Sequence, residues 1–301
     1  MLKVAFGDNY ILDLPEKHRF PMDKYELIPA QLLYEGTLTS SNFFVPDYCK
    51  KEIICLSHDR NFVDRAENNE LTKKEHRVLG FPASQGLYPR ELSITQGSIS
   101  SALHALETKG IGMNIAGGTH HAFYDRGEGF CLFNDFGVTA NYLLHRKLVS
   151  KILIVDLDVH QGNGTAALFQ ENPNVYTFSM HGKKNYPFRK EKSDLDIELE
   201  NECDDKTYLD LLDKHLNRLV FQEKPDIVFY LAGVDVLETD KLGLLSLSRE
   251  GCKQRDEKVI GLCHSNNIPI LVSMGGGYSP SIKDIVEAHC NTFRVAADLY
   301  L

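Results

Sequence analysis

Short apolar runs alternate with amphipathic stretches along most of this chain of 301 residues. The runs are typical of strands buried on both faces of a sheet, whereas the longer stretches repeat their apolar residues at helical spacing. A strand, a helix and a second strand in this order form a right-handed unit with parallel strands. The sequence therefore predicts a three-layer α/β fold in which helices sandwich a mainly parallel sheet. The predicted strands are Lys3–Phe6, Ile53–Ser57, Gly112–Ala116, Ile152–Asp158, Val175–Met180, Ile227–Ala232 and Pro269–Met274.

The segments between these strands complete the predicted organisation. The charge-rich segment Arg60–Arg77 is predicted to be a solvated helix, and Gly182–Asn201 a long irregular connection of the kind that often borders an active site. Because no repeat or low-complexity linker divides the sequence, we expect one domain over residues 1–301. The predicted helices are Ser98–Lys109, Phe136–Arg146, Lys206–Gln222, Ser248–Asn266 and Ser281–Leu299.

Composition argues against several classes of function. A formal net charge of −9 disfavours direct nucleic-acid binding, because phosphate contacts need clustered Lys and Arg. No segment has the apolar length of a membrane helix, and the first residues resemble a strand rather than a signal peptide. The seven scattered cysteines form no C-x-x-C pair and predict reduced thiols in a cytoplasmic protein. The oligomeric state stays open.

The apolar run Ile152–Val155 ends in polar residues at alternating positions. Asp156, Asp158 and His160 therefore leave one face of a strand together. Two carboxylates at a buried strand end need a cation or hydrogen bonds, and ligand sites in open α/β sheets collect beyond the carboxyl ends of strands. The three residues are half of a candidate metal site. The alternative is a strand end that carries surface acids.

Further polar and glycine-rich residues follow other predicted strands. His120 and His121 come after Gly117–Gly118, and a glycine loop lets two adjacent imidazoles face one site. Asp235 follows the run that starts at Ile227, and three glycines with Tyr278 follow the last strand. We expect all of these residues at the same edge of the sheet.

Taken together, these motifs resemble the histone deacetylase family, which has the arginase/deacetylase fold. The resemblance implies a central sheet of about eight strands and a single catalytic domain. The details of His18–Met22, Gly80–Pro82 and Gln161–Asn163 are most similar to the class IV branch and its bacterial relatives. The matching motifs occur in family order at Gly117–His121, Gly129–Asp135, Asp156–Thr165, Ala232–Asp235 and Gly275–Tyr278.

The resemblance implies that Asp158, His160 and Asp235 bind one zinc ion per chain. Two carboxylates and one imidazole leave coordination positions open for water and a substrate carbonyl, as a catalytic zinc requires. An oxygen-rich ligand set would also accept iron(II), so the native metal stays open. A structural potassium ion is implied beside the zinc, with the side chains of Asp156, Asp158 and Ser179 and backbone oxygens of His160 and Met180 as its ligands.

The same resemblance assigns the catalytic roles. His121 would be the general base, with Asn163 as its partner, and His120 would assist as an imidazolium beside Asp156. Tyr278 would donate a hydrogen bond to the carbonyl oxygen as negative charge develops on it. For the substrate, the resemblance implies a narrow tunnel that is lined by Gly129, Phe130 and Tyr186.

The predicted function is zinc-dependent hydrolysis of the amide bond of an acyl-lysine in a protein or peptide. A deacylase for long fatty acyl chains and an acetylpolyamine amidohydrolase would use the same chemistry. An arginase-like ureohydrolase is disfavoured, because Asn163 and the isolated Asp235 do not supply the carboxylates of a two-metal cluster. A catalytically silent module that binds acyl-lysine is the alternative outside the enzymes.

Overall fold

A computed structural model of the chain describes residues 2–301. Within these residues eight strands form one sheet with the order β2-β1-β3-β8-β7-β4-β5-β6, and every neighbouring pair is parallel. The strands are β1 Lys3–Ala5, β2 Phe43–Phe44, β3 Ile111–Asn114, β4 Ile152–Asp156, β5 Val175–Gly182, β6 Leu195–Leu199, β7 Ile227–Leu231 and β8 Ile270–Ser273.

Helices cover both faces of this sheet, as predicted. Helix α5 packs on β1, β3, β8 and α6, while α8, α9, α10 and α1 pack against one another in that order. The helices are α1 Lys24–Tyr34, α2 Lys51–Ile54, α3 Arg60–Glu67, α4 Lys73–Leu79, α5 Leu87–Thr108, α6 Asp135–His145, α7 Asn163–Phe169, α8 Asp205–Glu223, α9 Arg249–Ser265 and α10 Ile282–Tyr300.

Strand β4 shows how the sheet separates the two helical layers. Ile152 and Ile154 pack in a core with α5 and α6, whereas Leu153 and Val155 join the apolar residues of α8, α9 and α10. Successive side chains of a strand point to opposite faces, so an uninterrupted apolar run fills both cores at once. All five residues of β4 are buried, including Asp156 at its carboxyl end.

Three sequence-based predictions about the elements were wrong or incomplete. Ile53–Ser57 is not a strand, because Lys51–Ile54 is helical and only Ile54 in that helix is buried. Arg60–Arg77 contains two helices, α3 and α4, rather than one. Gly182–Asn201 is not wholly irregular, because Leu195–Leu199 forms the edge strand β6 beside β5.

The topology places the candidate site residues at one edge. Because all strands are parallel, the carboxyl ends of the adjacent strands β3, β8, β7 and β4 lie side by side, at Asn114, Ser273, Leu231 and Asp156. Loops that follow such strand ends are the usual ligand sites of parallel sheets. Among residues 2–301 we find no helix with the length and apolarity that a membrane crossing requires.

Candidate active site

The predicted metal ligands form a compact buried cluster at this edge. Asp158, His160 and Asp235 place one ligand atom each within 4.8 Å of one another. Nδ1 of His160 lies 3.0 Å from Oδ1 of Asp158 and 3.1 Å from Oδ2 of Asp235. Oδ2 of Asp235 accepts no hydrogen bond from any described residue. A buried carboxylate oxygen without a partner is costly, and this donor set suits zinc, so the residues fit a divalent metal ion.

Backbone amides hold the other oxygens of these carboxylates. The N–H of Gly276 donates to Oδ2 of Asp158 at 2.8 Å, and the N–H of Val159 donates to Oδ1 of Asp235 at 3.0 Å. A Cβ atom at position 276 would lie only 2.1 Å from Oδ2 of Asp235. Glycine is required at this position because the β8 loop approaches the carboxylates so closely.

The electrostatics of the cluster favour a positive charge between the carboxylates. Burial, followed by the charge of Asp158, raises the pKa of Asp235 to about 7. Burial lowers the pKa of His160, but the hydrogen bond to Asp158 and the adjacent carboxylate of Asp235 outweigh it and raise that pKa to about 10. A proton on His160 thus occupies the position that a cation would take between the two acids.

The adjacent histidines lie beside the cluster with different partners. Nδ1 of His120 is 2.7 Å from Oδ2 of Asp156, whereas Nδ1 of His121 is 2.7 Å from Oδ1 of Asn163. The ring centroids are 4.1 Å apart. The loop turns at Gly117, where φ is +82° and a Cβ would lie 2.4 Å from a carboxylate oxygen. This turn brings both imidazoles to the same side, as predicted.

The partners give the two rings opposite charge preferences. Burial lowers the pKa of His120, but the carboxylates of Asp156 and Asp158 outweigh burial and raise that pKa above its usual value. Burial, followed by the charges of His120 and His160, lowers the pKa of His121 well below its usual value. His120 therefore favours the imidazolium form, and His121 favours the neutral form that can accept a proton.

Tyr278 lines the same cavity as the metal cluster and the histidines. Its backbone N–H donates to Oδ2 of Asp240 at 2.6 Å, and Oδ1 of Asp240 accepts from the N–H groups of Leu242 and Gly243. Burial, followed by the nearby acids, raises the pKa of the Tyr278 phenol well above its usual value. The hydroxyl therefore stays protonated and can donate a hydrogen bond.

An open cavity of about 360 Å³ leads to this site. The aromatic rings of Phe130 and Tyr186 line it, and the Tyr186 ring centroid lies 5.0 Å from that of His121. Gly129 has φ +58°, and a Cβ there would lie 2.5 Å from the His121 ring. All three predicted tunnel residues thus line one passage. The cavity at the site itself, which Tyr278 and both histidines line, has a volume of about 40 Å³ and also contacts Cys131.

Three of the five predicted potassium ligands are neighbours in the sheet, and the other two, Asp158 and His160, follow the end of β4. Asp156 of β4 is in register with Ser179 of β5, and Met180 is the next residue of that strand. The Ser179 hydroxyl is 2.9 Å from Nδ1 of His181, and Oδ1 of Asp156 accepts from the Asp158 N–H at 3.2 Å. The potassium site stays a prediction.

Three residues near the site were missed by sequence reasoning. Lys24 is buried and donates to the Gly275 carbonyl at 3.0 Å, with burial lowering its pKa to about 8. Arg255 is also buried, and its guanidinium donates to backbone carbonyls near the predicted metal ligands. Glu128 contacts Asn163 and Tyr186. Of the three, only Glu128 could have been suspected from the sequence, because it directly precedes the Gly129–Phe130 motif.

Comparison with known proteins gives one family. The histone deacetylase domain matches residues 18–293. An uncharacterized protein of Picosynechococcus is 41% identical over 99% of both chains. Histone deacetylase 2 of Arabidopsis thaliana is 30% identical over 95% of this chain and 76% of that protein.

The solved structures support the fold. An HDAC homologue complexed with SAHA has a TM-score of 0.85 and 21% identity, covering 100% of this chain and 85% of that one. This likeness confirms the predicted arginase/deacetylase fold with its eight-stranded parallel sheet. From the extent of the domain match and the identity to its relatives, the chain is a member of the histone deacetylase family.

Proposed function

We propose that this chain hydrolyses the amide bond between an acyl group and the side-chain amine of lysine, in a metal-dependent reaction. Membership of the histone deacetylase family implies a deacetylase-type hydrolase. The observation that carries the finer proposal is the buried cluster of Asp158, His160 and Asp235 beside a histidine pair with opposite charge preferences. This arrangement offers a cation site, a base and a positive charge around one cavity.

Each residue contributes a distinct part of the reaction. His121 accepts the proton of the attacking water and returns it to the leaving amine. His120, paired with Asp156, holds positive charge beside the developing oxyanion. Tyr278 donates its hydroxyl proton in a hydrogen bond to the carbonyl oxygen, and this bond strengthens as the oxygen becomes negative.

One zinc ion bound by Asp158, His160 and Asp235 would supply Lewis acidity for the carbonyl and for water. Iron(II) is the competing metal for a ligand set with two carboxylates. We also propose that potassium binds beside Asp156 and Ser179 as a structural ion.

The tunnel mouth favours an acylated peptide over an acetylated polyamine. Arg19 and Lys184 line the mouth together with the exposed ring of Phe188. An acetylated polyamine keeps positive charges along its length, and these charges would face two cations on entry. An acyl-lysine within a protein segment presents a neutral side chain to the tunnel and can contact the apolar rim.

The interior space favours a short acyl group. The cavity of about 40 Å³ against His120 suits a group such as acetyl. A long fatty acyl chain needs considerably more volume, so it would require movement of surrounding side chains such as Phe20 or Tyr25. The long-chain deacylase is therefore the second candidate, consistent with the resemblance to class IV. We place this activity in one catalytic domain of residues 1–301 and in the cytoplasm.

The test compares acetyl-lysine peptide, myristoyl-lysine peptide and acetylspermidine as substrates for metal-free and zinc-loaded protein. We expect zinc-dependent release of acetate from the peptide. Tyr278→Phe should lower kcat by roughly 100- to 1000-fold, since it removes one oxyanion donor, while the melting temperature stays close to that of the wild type. Absence of turnover on every substrate by folded, zinc-loaded wild type would refute the proposed activity and favour the binding module.

A further inference from the structure

We propose that Glu128 is a positioning residue that holds the side-chain amide of Asn163 with its oxygen toward His121. The inference rests on the proposed function, because it concerns the residue assigned as the base. Nδ2 of Asn163 donates to Oε1 of Glu128 at 2.7 Å, while Oδ1 of the same amide lies 2.7 Å from Nδ1 of His121. The three side chains form a chain of hydrogen bonds that starts at a carboxylate and ends at the imidazole.

The orientation of the amide decides which ring nitrogen carries the proton. With its oxygen toward His121, the amide accepts the Nδ1 proton, so Nε2 is free to accept a proton from water. With its NH₂ group toward His121, the amide would donate to Nδ1, and the neutral ring would carry its proton on Nε2. That tautomer cannot act as a base at Nε2. The two orientations of the Asn163 side chain have nearly the same shape, so packing alone does not distinguish them.

Glu128 distinguishes them because an ionised carboxylate only accepts hydrogen bonds. The flipped amide would place its oxygen against a carboxylate oxygen of Glu128, so the hydrogen bond to Glu128 would be lost and two acceptors would face each other. Asn163 is 3% exposed, so water does not readily replace the lost partner. Nε of Arg126 lies 3.7 Å from Oε2, the other carboxylate oxygen of Glu128.

The backbone around Glu128 fixes where its carboxylate points. The N–H of Glu128 donates to the Cys131 carbonyl at 3.0 Å, and the N–H of Cys131 donates back at 2.9 Å. Between them Gly129 and Phe130 both have positive φ, +58° and +67°. This tight turn places the carboxylate of Glu128 next to the side-chain amide of Asn163, and it places Phe130 in the tunnel wall.

The same carboxylate oxygen also accepts the hydroxyl of Tyr186 at 2.9 Å. Glu128 thus joins a tunnel wall residue to the partner of the base. The Tyr186→Phe variant removes the wall contact alone, so it should raise KM more than it lowers kcat. A Glu128 variant should instead act mainly on kcat, because it disturbs the orientation of Asn163.

The arrangement at His120 provides a contrast within the site. There the carboxylate of Asp156 contacts the imidazole directly and stabilises its charged form. At His121 the carboxylate of Glu128 is removed from the ring by the length of one amide. It can therefore fix the tautomer of His121 without holding the ring in the charged form.

The decisive test exchanges the two groups. Glu128→Gln should lower kcat about 10-fold or more, because a glutamine can bond to either orientation of the amide. Asn163→Asp should also lower kcat, because it places two carboxylates in contact. The double variant should recover to within a few-fold of the wild type. In that variant the introduced glutamine donates to the introduced aspartate, whose carboxylate accepts from His121 in either orientation. If the two losses multiply instead, the proposal is wrong.

Two controls complete the test. Asp125→Asn removes a charge from an exposed side chain of the same loop, and it should leave kcat and KM unchanged. Histidine ring ¹⁵N NMR, with His121 assigned by its loss in His121→Gln, reports the tautomer without any turnover. We expect the Nδ1–H form in the wild type and a substantial Nε2–H fraction in Glu128→Ala. An unchanged tautomer in Glu128→Ala overturns the inference, whereas an inactive wild type with the expected tautomers refutes only the proposed function.

Discussion

Two buried clusters of charged residues lie close together in this molecule, and their hydrogen bonding differs. In the first, the Arg255 guanidinium donates to Asp256 at 2.8 Å and 2.9 Å, while the second oxygen of Asp256 accepts from Thr292 at 2.6 Å. In the second, Oδ2 of Asp235 in the metal cluster has no hydrogen-bond donor among the described residues. The first cluster is complete without a ligand, whereas the second leaves a buried carboxylate oxygen without a hydrogen bond.

The two clusters are also connected. One nitrogen of the Arg255 guanidinium donates to the carbonyls of Gly233 and Leu157, at 2.5 Å and 3.3 Å. These carbonyls lie in the loops that carry Asp235 and Asp158. The complete cluster therefore holds the incomplete one in place, which is how a protein can keep acidic ligands close together without their metal.

The largest effect is expected where the complete cluster is broken. Arg255→Met leaves the buried carboxylate of Asp256 without its cation and leaves two backbone carbonyls without their donor, so it should lower the free energy of unfolding by roughly 3–5 kcal/mol. Urea denaturation of the metal-free protein measures this loss. A loss below about 1 kcal/mol would contradict the structural role of the Arg255 cluster.

A smaller effect, a gain in the free energy of unfolding when zinc binds, is expected at the incomplete cluster. Zinc at about 100 times its Kd should raise the free energy of unfolding by about 2.7 kcal/mol. Asp235→Asn should abolish this gain and should make the metal-free protein at least as stable as the wild type, because it removes a buried carboxylate that is repelled by the charge of Asp158. Asp256→Asn is the matched control and should destabilise. If both substitutions destabilise the metal-free protein equally, the distinction between the clusters fails.

A third buried polar group, His58, is satisfied in its neutral form. Its Nε2 accepts from the Asn134 N–H at 2.9 Å, and its Nδ1 lies 2.9 Å from the Phe123 carbonyl. Burial lowers the pKa of His58 to about 4, although the backbone hydrogen bonds act in the opposite direction. Protonation of the folded state would break the bond to Asn134.

This lowered pKa predicts a pH dependence of stability. Because the pKa is lower in the folded state, the stabilisation by His58 is present above pH 6.5 and is lost as the pH falls towards 4. We expect the metal-free wild type to lose about 2 kcal/mol between pH 7 and pH 5 relative to His58→Gln. Denaturant unfolding of both proteins at each pH measures the difference. A pH-independent difference would show that His58 does not titrate between the two states.

The edge that carries the candidate site could be predicted because its residues follow apolar strands directly. Asp158, Asp235 and His121 each come within a few residues of a buried run, and parallel strands end at one edge. Strand β6 was missed although Leu195, Ile197 and Leu199 alternate with acids. That alternation is typical of an edge strand with one exposed face, and it differs from the continuous apolar runs of the central strands.

Other features depend on contacts between distant parts of the chain. Lys24 bonds to Gly275, 251 residues away, and Arg255 bonds to Leu157, 98 residues away. No local pattern marks a Lys or Arg whose partner is a backbone carbonyl on another loop. A local pattern can also mislead. The run Ile53–Ser57 was wrongly predicted to be a strand, because apolar content alone does not distinguish a short helix from a strand.

The carboxylate of Asp240 connects two loops, one that carries Tyr278 and one that carries Leu242 and Gly243. One oxygen holds the backbone of Tyr278, and the other holds Leu242 and Gly243, with Leu242 at the tunnel mouth. An insertion in either loop would have to preserve both sets of bonds. For protein engineering, this side of the tunnel should be left intact. Under the proposed function, substrate preference is better altered at Phe188, which also lines the mouth and is 92% exposed.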